Sequence, residues 1–220
     1  MEIQTETELK VRTAATDDSE VIARILVEAF PALYEMAFGI VSEEKNVEIL
    51  TALFQASHLA LDKTRVCVRD GQIVGLTILH VGDPIGRGRA RDYARLLRRH
   101  LQPGAVWRAF FGGLSANRTL VRRMPHGPDL LYIEALAVLH GERGKGVGTL
   151  LLQDAFDWAI ADGRTRLALH VLHSNTGARR LYEKMGFTLW QPTVWDRLRN
   201  RVAPVTTWSA LLMLRVLDSP

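Results

Sequence analysis

Apolar and polar residues alternate along the chain with two different periods, and these periods predict its first elements. Residues 9–14, LKVRTA, alternate as a strand does. Residues 16–30, TDDSEVIARILVEAF, open with residues that favour a helix start and then space their apolar positions at helical intervals. A loop through Pro31 leads to a second predicted helix, which begins at Ser42 and has one apolar face.

The middle of the chain contains a predicted hairpin followed by a change of period. Two β-rich runs, TRVCVR and QIVGLTILHV, flank the dipeptide Asp70-Gly71. Asp-Gly between such runs predicts a hairpin closed by a two-residue type I′ turn. Beyond it the β pattern stops for about forty residues, and the apolar residues recur at helical spacing in two stripes.

The second half of the chain alternates strands with helices. Strands are predicted at residues 130–138 and 166–172, and helices at 149–161 and 176–184, the last ending at Gly186. The runs FTLW and TTWSALLMLRVL complete the chain as strands. This order predicts a single mixed α/β domain over residues 1–220, with a helical insertion at residues 84–128.

The composition excludes some classes of protein and indicates a compartment. The chain has no run of 18 apolar residues, so a membrane span is not expected. Its first residues, MEIQTETELK, lack the apolar stretch of a secretory signal. The single cysteine, Cys67, has no partner for an internal disulfide. We therefore expect a cytoplasmic protein.

Positive charge is concentrated in the insertion. Residues 87–123 hold ten arginines against one acid, Asp92, a net charge of +9. The arginines are Arg87, Arg89, Arg91, Arg95, Arg98, Arg99, Arg108, Arg118, Arg122 and Arg123. Such a segment is either a surface that faces an anion or a pair of helices with solvated arginines.

A glycine-rich loop at residues 139–149, LHGERGKGVGT, joins a predicted strand to a predicted helix. Glycines allow close approach of the backbone to phosphate oxygens, and the helix start offers unpaired N–H groups. The alternative is a plain tight turn. A Walker loop does not fit, because no Ser or Thr follows Lys145-Gly146, and the dinucleotide pattern would need glycine where Thr149 stands.

One phosphate-binding pattern does fit this loop. Arg143, Gly146 and Gly148 match the spacing Arg/Gln-x-x-Gly-x-Gly/Ala, with EALAV before it and NTGARRLYEKMGF after it. Together these motifs resemble the acetyl-CoA site of the GNAT family of N-acetyltransferases. The resemblance is closest over residues 130–190. The insertion departs from the family's smaller members and is similar to larger ones that act on small molecules, such as the puromycin type.

The resemblance implies the GNAT fold, an α/β (α+β) architecture with helices on both faces of a mixed central sheet of about seven strands. The insertion lies between the third and fourth strands, and the fourth and fifth strands splay apart, because the acetyl-CoA arm needs an unpaired edge. The implied cofactor-binding residues are Leu136, Ala137, Val138, Arg143, Gly144, Lys145, Gly146, Val147, Gly148, Thr149 and Asn175. Capping of the following helix is an alternative role for Asn175.

The resemblance also implies catalytic roles. Tyr182 matches the family's general acid, although a packed aromatic is the alternative. The general base is Glu134 or His170, acting directly or through a water. Glu134 is a carboxylate in an apolar strand, where burial would raise its pKa. His170 would need no shift to act near neutral pH. Each could instead be a structural polar group, and no metal is expected.

The sequence indicates the class of the acceptor and of possible partners but not their identity. We expect direct transfer of the acetyl group, within a ternary complex, to a primary amine, with a small molecule favoured. The arginines would suit an amine that also bears a carboxylate or phosphate. The competing hypothesis is a GNAT-fold CoA-binding module without catalysis, whose basic helices bind nucleic acid or another anionic partner, although known nucleic-acid motifs are missing. The apolar C-terminal strand could pair across a homodimer.

Overall fold

The computed structural model describes residues 8–38, 42–56, 61–81, 98–99, 127–190 and 210–217. The strands are β1 Lys10–Thr13, β2 Thr64–Arg69, β3 Gln72–Val81, β4 Leu130–Val138, β5 Arg166–Leu172, β6 Thr188–Leu189 and β7 Ala210–Val216. The helices are α1 Ser19–Ala29, α2 Pro31–Phe38, α3 Glu43–Gln55, α4 Val147–Ala161 and α5 Thr176–Lys184. These elements confirm the predicted α/β class.

The seven strands form one mixed sheet in the order β1-β2-β3-β4-β5-β7-β6. Only β4 and β5 run parallel to each other among these pairs, and the other pairs are antiparallel. Side chains of α1 and α3 pack on one face of the sheet, with Leu76 of β3. Side chains of α4 and α5 pack on the opposite face, with Leu79. The prediction of helices on both faces is therefore confirmed.

The hairpin between β2 and β3 has the predicted turn. Arg69 pairs with Gln72, so the loop has two residues, Asp70 and Gly71. Both have positive φ, 50° and 78°, as a type I′ turn requires.

Two helix boundaries differ from the prediction. The loop predicted through Pro31 is instead α2, because proline at the first helical position loses no hydrogen bond and already has a helical φ. Helix α4 begins at Val147, two residues before the predicted start, after Gly146 in the left-handed conformation. The start of α3 is as predicted, since the Ser42 hydroxyl accepts from the N–H of Lys45 at 3.2 Å.

The two parallel strands are joined at one end and apart at the other. Residues 130–133 of β4 pair with residues 166–169 of β5, and the ladder stops there. At the joined end, Arg166 donates to Asp129 at 2.5 and 2.8 Å, and this contact lowers the pKa of Asp129 to about 2. Beyond Ile133, β4 pairs with β3 alone while β5 continues beside β7. The predicted splay is confirmed.

Some of the predicted segments lie mostly outside the described residues. Of the insertion at 84–128, the structure describes only residues 98–99, which are helical, and residues 127–128, which lead into β4. The C-terminal strand β7 lies inside the sheet between β5 and β6, so one of its edges is occupied by β5 of the same chain. None of the helices in the described ranges has the length and apolarity needed to cross a bilayer.

Candidate active site

A β-bulge in β4 marks the point where the two parallel strands separate. Ile78 of β3 pairs with Ala135 and Leu79 pairs with Ile133, so Glu134 is an extra residue without a partner in β3. A bulge bends its strand and redirects the side chain of the extra residue. Here it turns β4 away from β5 and presents Glu134 at the separation, which we call the split.

The edge of β4 that borders the split carries backbone groups available to a ligand. The N–H of Leu139 donates to the carbonyl of Val74 at 3.0 Å, so these two residues form a hydrogen-bonded pair. Bonded and non-bonded pairs alternate along an antiparallel ladder, so Val138 and Leu136 direct their N–H and C=O groups away from β3. Ala137 directs its backbone toward β3, and its methyl group is buried in the core.

The glycine loop continues from this edge into the start of α4. Gly144 and Gly146 have positive φ, 77° and 85°, a conformation that strains any other residue. A Cβ placed at either glycine would meet nothing within 4 Å, so the space beside the loop is open. Gly148 is close-packed, since a Cβ there would lie 3.0 Å from Leu181 of α5. The loop therefore presents free space at the positive end of a 15-residue helix.

The cations of the loop are held by neighbouring groups. Arg143 donates from its Nε to the carbonyl of Val138 at 3.2 Å. Lys145 pairs with Glu142 at 3.1 Å while half of its side chain stays exposed. Glu142 also pairs with Arg69 at the end of β2. These contacts tie the loop to the hairpin and leave the Lys145 ammonium accessible to a phosphate.

Glu134 is paired with a histidine that the sequence analysis did not consider. Its carboxylate contacts Nε2 of His80, near the end of β3. The Glu134 side chain is 50% exposed, whereas that of His80 is 18% exposed. The expectation that Glu134 is buried in an apolar strand was wrong, because the bulge and the split expose it.

A second hydrogen-bonded pair lies beside the first. The hydroxyl of Tyr132 and Nδ1 of His170 are 2.9 Å apart. Burial lowers the pKa of His170 to about 4. Burial also raises the pKa of Tyr132, with a further contribution from the charge of Glu134. The expectation that His170 titrates near neutral pH without a shift was therefore wrong, since its surroundings disfavour the imidazolium.

Both pairs lie on the same face of the sheet. Leu79, Ile133 and Leu169 pack against α4 and α5, and side chains alternate along each strand. His80 and His170, each one residue further along its strand, therefore point to the opposite face, and Tyr132 stands across the ladder from His80. The contact with His80 places Glu134 on that face as well. The split is thus bordered by four polar side chains on the side away from α4 and α5.

Tyr182 approaches from the other face. It lies on α5, is 6% exposed, and packs edge-on against Phe187 with ring centroids 5.9 Å apart. Burial raises the pKa of its phenol to about 12, which keeps the hydroxyl protonated at physiological pH. Tyr182 is near enough to Tyr132 to raise the pKa of that phenol. The ring packing fits the alternative role of Tyr182 as a packed aromatic. That role is compatible with a role as general acid, because packing involves the ring and proton donation involves the hydroxyl.

Asn175 caps the helix that carries Tyr182. Its side-chain oxygen accepts from the N–H of Ala178 at 3.1 Å, which fixes the first turn of α5. The amide NH₂ of the same side chain keeps its capacity to donate, so capping does not preclude a cofactor contact.

The open edge, the glycine loop and the tyrosine helix form one continuous region, and its sequence matches one family. The profile of the Acetyltransferase (GNAT) family matches residues 22–187. The chain belongs to the GNAT family. Members of this family use acetyl-CoA as the acetyl donor. The predicted resemblance is therefore confirmed at the level of family and fold.

Relatives of this GNAT chain match it over short segments. Streptothricin acetyltransferases of Escherichia coli and Streptomyces lavendulae are 41% and 42% identical over 28% and 26% of this chain. A mycothiol acetyltransferase of Streptosporangium roseum is 37% identical over 33% of it. The aligned segments span 35%, 30% and 22% of those relatives. They therefore cover well under half of each one.

Solved structures of GNAT proteins resemble the whole chain at low identity. An N-acetyltransferase from Staphylococcus aureus Mu50 aligns with a TM-score of 0.63 at 16% identity, covering 93% of this chain and 99% of the other. The crystal structure of another acetyltransferase gives 0.61 at 19% identity, with coverages of 95% and 100%. At such identities the comparison establishes the fold.

The neutral state of His170 predicts a pH dependence of stability. The pKa of His170 is about 4 in the folded chain, below the ordinary value of 6.5, so the unfolded chain binds more protons between these values. Stability from this residue is present above pH 6.5 and is lost as the pH falls toward 4. Urea unfolding should show that the wild type loses about 1–2 kcal/mol more than His170→Gln between about pH 7.5 and pH 5. Equal losses in the two proteins would contradict this prediction.

Proposed function

We propose that this chain is an N-acetyltransferase that transfers the acetyl group of acetyl-CoA to a primary amine of a small molecule. One observation carries the proposal. The split in the sheet connects a glycine loop suited to a pyrophosphate with a carboxylate on one face, Glu134, and a protonated phenol on the other, Tyr182. Acetyl transfer to a charged amine is helped by a base that takes the ammonium proton and an acid that protonates the departing thiolate.

The residues of the split and loop fit the donor. Backbone N–H groups from Arg143 to Thr149 would hold the pyrophosphate at the start of α4, where the helix dipole favours negative charge. The outward backbone groups of Leu136 would pair with the pantetheine arm. The N–H of Val138 would then donate to the thioester carbonyl. Bound acetyl-CoA supplies the activated acetyl group.

Glu134 and Tyr182 would handle the protons of a direct transfer within a ternary complex. An exposed carboxylate can accept a proton from an ammonium group that enters from its face of the sheet. The buried phenol of Tyr182 retains its proton until it can donate to the departing sulfur. His170 suits the base role less well, because it is less exposed than Glu134 and Tyr132 already engages its Nδ1.

A small-molecule acceptor is supported by the names of the relatives. Two of them are streptothricin acetyltransferases and one is a mycothiol acetyltransferase. The ten arginines of residues 87–123 favour an amine that also carries a carboxylate or phosphate. We also propose that residues 84–128 belong to the same domain.

The same arginines are the observation that favours a second candidate, a CoA-binding module that holds nucleic acid without transferring acetyl groups. Release of the CoA thiol from acetyl-CoA, measured over a panel of primary amines with and without an acidic group, separates the two. We expect amine-dependent release, fastest with an acidic acceptor. Absence of thiol release with every amine of the panel, together with salt-sensitive binding of nucleic acid, would support the module instead.

A matched pair of glycine variants controls this assay. Gly146 in the loop and Gly163 after α4 both have positive φ, and a Cβ at either would meet nothing within 4 Å. Alanine at either position should therefore cost about 1 kcal/mol of stability. Only Gly146→Ala should weaken acetyl-CoA binding measured by calorimetry, because only there would the methyl group stand where the pyrophosphate lies.

A further inference from the structure

His80 and Glu134 come together only because of the sheet. They are 54 positions apart in sequence and meet through the β3–β4 ladder, where the bulge turns Glu134 toward the end of β3. The histidine is mostly enclosed, whereas the carboxylate is half exposed at the split. The His80 side chain is thus fixed by packing, and the Glu134 side chain would be mobile without its contact to His80.

The chemistry of the pair sets the direction of its hydrogen bond. An ionised carboxylate can only accept, so Nε2 of His80 donates to Oε2 of Glu134. The other carboxylate oxygen, Oε1, is left to accept from an incoming ammonium group. Tyr132 stands nearby but is hydrogen-bonded to His170, so the bond from His80 orients the carboxylate.

We propose that His80 is the positioning residue for the general base of this enzyme, and this inference rests on the proposed function. By holding Oε2, His80 limits the rotation of a half-exposed side chain and leaves Oε1 for the acceptor. A base that is already oriented loses less conformational entropy on reaching the transition state than a mobile base does. His80 therefore acts through Glu134 and does not touch the acceptor.

The step it serves is balanced. The acceptor ammonium gives one proton to Oε1 of Glu134, which passes it to solvent after each turnover. The nitrogen lone pair then forms the bond to the acetyl carbon while the carbon–sulfur bond breaks, with its electron pair remaining on sulfur. Tyr182 gives its proton to that sulfur, and the second proton lost from nitrogen restores the phenol through water. The products are the amide, CoA thiol and one proton.

Two acceptors distinguish a role of His80 in deprotonating the acceptor from a general loss of activity in the His80 variant. The first is an alkylamine, which is charged at neutral pH and needs a base. The second is an arylamine, which is already neutral and does not. For His80→Leu with the alkylamine, we expect kcat to fall about 10- to 100-fold while the affinity for acetyl-CoA is unchanged. With the arylamine the loss should shrink to about threefold or less.

A conservative variant provides the rescue. His80→Gln retains a side-chain N–H that can reach the carboxylate, and it should recover most of the lost rate. His173→Leu, at an exposed position on the turn after β5, is the histidine control and should behave as the wild type. Thermal unfolding and acetyl-CoA calorimetry on each variant exclude misfolding. If His80→Leu does not fold, the comparison of His80→Gln with His80→Asn, whose shorter amide falls short of Glu134, replaces it.

The outcomes distinguish failure of the inference from failure of the proposed function. A wild type that transfers acetyl groups, with His80 variants that are unimpaired or equally impaired with both acceptors, overturns the role of His80 and leaves the function intact. A wild type that binds acetyl-CoA and acetylates neither amine overturns the proposed function, and the inference with it.

Discussion

Replacing Tyr182 with phenylalanine is expected to lower kcat by about 10²- to 10⁴-fold, the usual contribution of a positioned general acid. The affinity for acetyl-CoA should not change, because phenylalanine preserves the ring that packs edge-on against Phe187 at 5.9 Å. The hydroxyl is the only group removed. Its pKa of about 12 means that the acid stays protonated at any ordinary assay pH. Initial rates of thiol release under saturating acetyl-CoA measure the effect.

The same variant tests the alternative role of Tyr182 as a packed aromatic. If the residue only fills the core between α5 and the sheet, Tyr182→Phe should keep full activity and Tyr182→Leu should lose stability. Activity of the phenylalanine variant within about threefold of the wild type would therefore remove the acid assignment. Loss of activity with unchanged thermal unfolding would support it.

Local features of this fold could be predicted from the sequence because neighbouring residues determine them. The turn at Asp70-Gly71 depends on two residues that tolerate positive φ, and the glycine loop depends on glycines at fixed spacing. The splay between β4 and β5 followed from the family resemblance, since a ligand-binding edge cannot be paired. The helix at Pro31 could not be predicted, because proline is found both in loops and at the first position of helices.

The pairs around the split depend on contacts between distant residues, and the sequence analysis missed them. Tyr132 and His170 are 38 positions apart, and no local pattern specifies which strands bring them together. A usable indication was present, because Tyr132, Glu134 and His80 each interrupt an otherwise apolar strand. The bulge could not be anticipated, and a single extra residue decides whether Glu134 faces the core or the split.

Exchanging Glu134 for glutamine tests which of the two proposed bases accepts the proton. The amide preserves size and still accepts from His80, but it cannot take a proton from an ammonium group. We expect Glu134→Gln to lower kcat/KM for an alkylamine about 100-fold or more. His170→Gln should change it by less than about threefold, because the His170 imidazole is less exposed than Glu134 and its Nδ1 is already engaged by Tyr132.

The opposite result would assign the role of general base to His170, which is paired with Tyr132. If His170→Gln loses activity while Glu134→Gln keeps it, the proton would be taken by the imidazole beside Tyr132, and a loss in Tyr132→Phe should accompany it. The contribution of that imidazole would persist down to about pH 4 and disappear only as it becomes charged. If Glu134 is the base, Glu134→Gln should instead slow acetylation of the charged alkylamine and leave acetylation of the neutral arylamine nearly unchanged, whereas His170→Gln should affect neither.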